Sequence, residues 1–358
     1  MENRLFDFLK LALGAKTGRE SVPHSRDEWE ELYKLASKHN LVAVTFPLID
    51  ELHDEDLVPL GIYSRWAMMV EMVQQKNVRM NESCVKLYQF FKANGMRSCI
   101  LKGQGIAALY PRPDLRQSGD IDIWIDADRK TILSFLEEKG SAGKVFYHHC
   151  EPNMLKGISV EVHFLPSWMN APAANRRLQR FFRSVAPSQF GNYNEKLGFC
   201  VPTLAFQAVH ILVHIYRHVL EEGVGLRQLM DYYYVLKALT PQERTLAVRD
   251  IEYLKLTKFA AGVMYVLQEV FDISEDLLLC APDRIQGGFL LDEIMIAGNF
   301  GKYDSRNDHP KDENRLKHAK RKITRAMRFL EYYPSEVIGM PYFLIKHYFW
   351  RVFKGYIN

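Results

Sequence analysis

The sequence predicts an α+β fold, with a small mixed β-sheet core flanked by N-terminal and C-terminal helical regions. Two changes of period predict it. Apolar residues recur at helical spacing up to about residue 95 and again from about residue 201. Between these stretches the period drops to two, in Asp120-Ile121-Asp122-Ile123-Trp124-Ile125 and in Ile158–Phe164. The composition can build a core around such a sheet: of 358 residues, 47% are hydrophobic and 25% charged, which excludes wholesale disorder. The expected division is a helical region at 1–95, the sheet core at 96–200 and a second helical region at 201–358.

In the first region, Asp27–Ala36 places apolar residues at helical spacing behind a Ser25/Asp27 start signal. Arg65–Asn94 is a longer pattern carrying Met68, Met69, Met72, Val78, Leu87, Phe90 and Phe91, and Asn94-Gly95 stops it. In the core, Arg97–Leu101 reads as a strand entering Lys102-Gly103-Gln104-Gly105. Ile106–Tyr110 reads as a helix stopped by Pro111 and Pro113. Asp120–Ile125 is a strand, Arg129–Lys139 an amphipathic helix ending at Gly140, and Lys144–Cys150 and Ile158–Phe164 two further strands. In the last region the expected helices are Leu204–Leu220, Leu226–Leu239, Pro241–Lys255, Ala260–Phe271 and Arg315–Tyr332, with a polar loop over Gly301–Asn314.

Lys and Arg number 47 against 43 Asp and Glu, a balance of +4 that argues against a protein dedicated to coating duplex nucleic acid. The apolar runs Ile211–Leu220 and Tyr342–Trp350 are interrupted by His214, Arg217, His218 and Lys346, well short of the ~20 residues of a membrane span. Asp7 and Lys10 break the only apolar stretch near the start that could serve as a secretory signal. The five cysteines are scattered, odd in number and free of C-x-x-C spacing, so the expected compartment is a reducing cytoplasm.

The chemistry concentrates on Asp120 and Asp122. Side chains alternate along a strand, so both acids project from one face while Ile121, Ile123 and Ile125 enter the core. Paired acids on one face repel unless a cation joins them, and hard oxygen ligands beside phosphate suit Mg²⁺. The plainer alternative is an edge strand whose acids face water. Glu161 and His163 share a face of the later strand. If the two strands are neighbours, three carboxylates converge, as two-metal phosphoryl transfer requires. Gly103 and Gly105, between strand and helix start, offer bare amides to an anion.

Leu101-Lys102-Gly103, Leu109-Tyr110-Pro111, Leu115-Arg116-x-Ser118-Gly119-Asp120-Ile121-Asp122 and Val160-Glu161-Val162-His163 resemble the nucleotidyltransferase superfamily that includes DNA polymerase β. More narrowly, they resemble a bacterial family labelled uncharacterised nucleotidyltransferase. The core of the resemblance covers about Arg97–Phe164, and His210-x-x-x-His214 and Gly225–Asp231 extend it. It implies a nucleotidyltransferase that moves a nucleoside monophosphate from an NTP, ATP first among them, to an acceptor, with release of pyrophosphate. Asp120 and Asp122 would hold Mg²⁺ (or Mn²⁺), and Glu161 would complete the catalytic metal site and help orient the nucleophile. The superfamily often has Gly-Gly or Gly-Ser in its first turn. This chain has Gly103-Gln104, so triphosphate binding is expected to rest on Lys102, Gly103, Arg116 and Ser118.

Other residues carry two readings each. His163 is either an outer contact of the metal site or substrate, or a packed histidine. Arg227 either pairs with Asp231 four residues on or faces the cleft, and Gly223 and Gly225 suggest a close approach there. His210, His214 and His218 share a helix face, read as a helix–domain contact ahead of a zinc site. His148 and His149 carry no assignment of their own. The run Arg315, Lys317, Lys320, Arg321, Lys322, Arg325, Arg328 reads as a solvated face, with an RNA or phosphate-rich partner as the other reading. The acceptor is open between a small molecule, RNA and protein. Two rival functions stand beside transfer to a metabolite: a non-catalytic nucleotide-binding or regulatory module, and a toxin-like enzyme modifying tRNA or protein.

Overall fold

Four helices lead into the sheet: α1 (Glu2–Ala12), α2 (Arg26–Lys38), α3 (Phe46–Asp54) and α4 (Leu60–Ala93). The computed structural model describes residues 2–14, 21–306 and 315–356. α2 begins with a reciprocal cap. Ser25 Oγ accepts from the Glu28 amide at 3.3 Å, and the Glu28 carboxylate accepts from the His24 and Ser25 amides. α4 runs for 34 residues, about 51 Å at 1.5 Å per residue. It stops at Asn94-Gly95, where Gly95 adopts φ +74°. Trp66, Met80, Leu87 and Phe91 make its buried stripe, whereas Met68, Met72 and Val78 lie exposed on the opposite side. The apolar pattern there is wider than the one face a helix can turn to the core.

The sheet has the order β1-β2-β5-β4-β3. Its strands are β1 (Ser98–Leu101), β2 (Ile121–Ile125), β3 (Lys144–Val145), β4 (His149–Glu151) and β5 (Val160–His163). β2 and β5 are parallel neighbours; the other pairs are antiparallel, so the sheet is mixed. The single strand expected over Lys144–Cys150 is instead a hairpin. Val145 pairs with Cys150 across a turn at residues 146–148, and this brings His148 and His149 beside β5. The helix expected at Ile106–Tyr110 begins earlier, as the five-residue α5 (Gly103–Ala107). α6 (Arg129–Glu138) follows β2, capped by Asp128.

After the sheet come α7 (Pro172–Gly191), a two-stranded hairpin of β6 (Tyr193–Asn194) and β7 (Phe199–Cys200), and seven helices. They are α8 (Leu204–Glu221), α9 (Leu226–Ala238), α10 (Pro241–Leu254), α11 (Thr257–Phe271), α12 (Arg284–Ala297), α13 (Arg315–Met327) and α14 (Pro334–Phe353). α8 to α11 fall close to their expected bounds; α7, α12 and α14 go beyond the expected set. α13 ends at Met327, short of Tyr332, and Pro334 opens α14. Of the loop expected over Gly301–Asn314, residues 307–314 lie outside the described residues. One apolar cluster includes Leu5 and Phe8 of α1, Ile123 and Val162 of the sheet, and Val337 and Met340 of α14. No described helix is long and apolar enough to cross a membrane.

The basic run on α13 is not simply a solvated face. Arg325 is buried and meets Asp304 at 3.0 Å and the Val219 carbonyl at 3.0 Å. Lys322 reaches Glu221 at 3.0 Å, and Arg328 reaches Asp304 at 3.2 Å. These cations fasten α13 to α8 and to the segment after α12. Their acidic partners are distant in sequence, so a run of like charge concealed them.

Candidate active site

β2 and β5 bring the acids together. In their parallel register Asp122 stands directly beside Glu161, and Trp124 beside His163. Alternation then puts Asp122, Glu161 and His163 on one sheet face. His163 Nε2 lies 2.9 Å from Asp122 Oδ1 and 3.2 Å from Glu161 Oε2. Asp122 is buried, whereas Asp120, just before β2, is exposed. Both line a cavity of about 520 Å³ between the sheet and the C-terminal helices.

Lys102 closes the cluster from the end of β1. Its ammonium sits 3.0 Å from Asp122 Oδ1 and 3.4 Å from His214 Nδ1 of α8. Its backbone has φ +51°, followed by Gly103 at φ +45°. A lysine in that region is strained, and the ion pair offsets the strain. Burial alone would raise the Asp122 carboxyl, but the Lys102 charge and the His163 hydrogen bond outweigh it and hold that group far below the usual range. Burial raises the Glu161 carboxyl; the His163 hydrogen bond opposes this and the Asp122 charge adds to it. Burial would lower His163, but its bonds to Asp122 and Glu161 carry it to about 9. Burial would also lower Lys102, and the three acids outweigh it and push the ammonium up.

The residues expected to cradle a triphosphate divide. Lys102, Gly103 and Arg116 line the cavity. Arg116 is nevertheless committed to a buried fork on Asp231 of α9, with both bonds at 2.7 Å, which Tyr110 Oη joins at 2.7 Å. Ser118 Oγ donates to Asn77 Oδ1 of α4. Asn77 also donates to the carbonyls of Asp114 and Arg116, and Lys76 to that of Ser118 at 2.8 Å, so α4 sets the path into β2. Gly105 is buried, with Val201 within 3.0 Å of where a Cβ would stand, so it serves packing. Arg227 pairs with Asp231, its Nη1 3.2 Å from Oδ2, and also lines the cavity, its Nε without a partner among the described residues. The close approach at Gly225 is to the Asn299 backbone, 3.1 Å from a notional Cβ.

The family model described as uncharacterised nucleotidyltransferase matches residues 25–272. The chain belongs to that family. No curated protein matches it. Asp120, Asp122, Glu161, His163, His214 and Asp231 all fall inside the matched span, and a nucleotidyltransferase acts on an NTP. α13 and α14 lie beyond it, yet Lys322, Phe343, His347 and Arg351 complete the cavity wall of this nucleotidyltransferase.

Several cavity residues had no reading in the sequence. Trp168 lies under the Arg217 guanidinium, and Arg217 is itself paired to Glu221 at 2.6 Å. Nothing local marks Trp168 or Phe343, because long-range packing brings them together. The stripe on α8 serves three partners: His210 meets the Pro166 carbonyl, His214 meets Lys102, and His218 is 3.6 Å from Glu222. A better signal was the His148-His149 doublet, which the β3–β4 hairpin sets next to β5 and Glu161. Burial and the His149 charge lower His148 well below its usual range, and burial and the His163 charge lower His149 to about 2.

Proposed function

We propose that this nucleotidyltransferase moves a nucleoside monophosphate from an NTP, ATP first, to an acceptor, using Mg²⁺ or Mn²⁺ held by Asp120, Asp122 and Glu161. The observation that carries the reading is the parallel register that sets Asp122 against Glu161 at the cavity. The donor set fits a hard divalent cation, being carboxylate oxygens of which Asp120 is exposed, and the Lys102 ammonium at 3.0 Å marks the Asp122 carboxylate as a cation position. Such a cation would supply charge neutralisation at the phosphates and activation of the attacking hydroxyl.

The chain's own groups supply the rest. The acceptor hydroxyl gives up its proton to water, its oxygen bonds to the α-phosphorus, the bond from that phosphorus to the pyrophosphate oxygen breaks, and pyrophosphate leaves. Glu161, its carboxyl raised, lies beside that oxygen to orient it. Lys102, Gly103 and Arg227 face the triphosphate; Arg116 and Ser118 hold the approach to β2. This reading puts the chain in the superfamily of DNA polymerase β. Incubation with each labelled NTP, Mg²⁺ or Mn²⁺ and cell extract tests it, with label expected on one class among RNA, protein and small molecules and none after chelation. A non-catalytic nucleotide-binding module is the second reading, favoured by the Lys102 ammonium on Asp122. NTP binding without transfer would decide for it.

A further inference from the structure

Three histidines converge on Glu161 beside Asp122, and the proposed reaction gives those histidines no part. His148, His149, Glu161 and His163 each offer an atom, and all four atoms lie within 4.8 Å of one another. His149 Nδ1 is 2.9 Å from His148 Nε2 and 3.7 Å from Glu161 Oε2, which is 3.2 Å from His163 Nε2. A tetrahedral zinc-class ion with bonds of about 2.0–2.1 Å separates its ligands by about 3.3 Å. These three separations bracket that value, and no pair of the four atoms exceeds 4.8 Å.

The surroundings aim these rings. His149 and His163 are directly opposed in the antiparallel β4–β5 register, so they share a face. His163 Nδ1 lies 3.2 Å from the Leu165 carbonyl, which directs Nε2 at the carboxylates. His149 is buried with no hydrogen-bond partner at Nε2 among the described residues, and Glu151 Oε1 stands 3.6 Å from that nitrogen. Carbonyls and carboxylates behind the far nitrogen are the partners that orient metal-bound imidazoles. His148 is held against the Trp168 ring, with centroids 3.9 Å apart.

We infer that His148, His149 and His163, with Glu161 as the fourth ligand, form a site for a transition divalent cation of the zinc class. Three imidazoles and one carboxylate suit Zn²⁺ or Co²⁺ and disfavour Mg²⁺, which takes oxygen ligands. The site shares Glu161 with the proposed reaction centre but stands on the geometry of its own donors.

Co²⁺ is the probe, added to the full chain after chelator treatment and dialysis. The expected result is the intense visible absorption of tetrahedral Co²⁺, saturating at one equivalent, displaced by Zn²⁺ and indifferent to excess Mg²⁺. Three exchangeable, paramagnetically shifted imidazole N–H signals should accompany it. His149→Gln and His148→Asn should each abolish the absorption, with circular dichroism checking the fold, while Asp120→Asn keeps it. Absence of the absorption in the wild type overturns the site. So does its survival in both histidine variants, its loss in Asp120→Asn, or fewer than three imidazole signals in the wild type, a readout independent of any variant's folding. Nucleotide transfer is not the readout. Co²⁺ binding without transfer keeps this site and removes the proposed reaction, and transfer without Co²⁺ binding does the reverse.

Discussion

Two ion clusters border the same cavity, and they differ in how their charge is compensated. On β2 and β5, the carboxylates Asp120, Asp122 and Glu161 face the cations Lys102 and His163. Around α9, the carboxylate Asp231 faces two guanidiniums, Arg116 and Arg227, and the Tyr110 hydroxyl. The first leaves an excess of negative charge at the cavity and the second an excess of positive charge. Such a pair of walls suits a cation and a polyphosphate side by side. The second cluster is also a fastener, because Asp231 grips the residues leading into β2. The comparison teaches that charged residues near a cavity have different duties according to whether their partners use them up.

The largest effects should separate the two clusters by what they damage. Asp122→Asn removes a proposed cation ligand and should lower transfer by more than the ~100-fold that loss of an outer partner costs, with the fold intact by circular dichroism. Glu161→Gln should behave likewise in turnover, with little change in NTP affinity. Wild-type turnover in either variant would erase the distinction. Asp231→Asn leaves two buried guanidiniums short of a counter-charge and should cost about 3–5 kcal/mol in denaturant unfolding. A loss of activity at unchanged stability would move Asp231 into the reaction centre.

Smaller effects sharpen the contrast within the basic cluster. Arg227→Ala should raise the NTP dissociation constant by about 10–100-fold, and that of the nucleoside hardly at all, if this guanidinium serves the phosphates as proposed. Arg116→Ala should act mainly on stability. If Arg116→Ala instead shows the NTP-selective loss, the two arginines have exchanged roles.

The smallest effect is a pH dependence. His163 is raised from an ordinary value of 6.5 to about 9, so between those values the folded chain binds more protons than the unfolded one. The stabilisation is complete below about pH 6.5 and is lost as pH rises through 9. The melting temperature of the metal-free chain should therefore fall across that window, and His163→Asn should flatten the decline. An unchanged slope in the variant would place the titration elsewhere.

The sequence by itself determined the alternation that puts Asp122 on one face of β2, and Glu161 with His163 on one face of β5. It determined the caps at Ser25 and Asn94-Gly95, and the bounds of α8 to α10 to within a residue. These depend on neighbours within a few residues, where period and propensity act directly. Tertiary structure alone decided that β2 and β5 run in parallel with Asp122 beside Glu161. It also turned Lys102 onto Asp122 and committed Arg116 to Asp231, 115 residues away. The hairpin that swings His149 opposite His163, and the closing of the cavity by Lys322 and Phe343, were likewise beyond local reading. Each of these rests on an ion pair, a strand register or a packing contact between distant segments, and their energies exist only once the chain has brought those segments together.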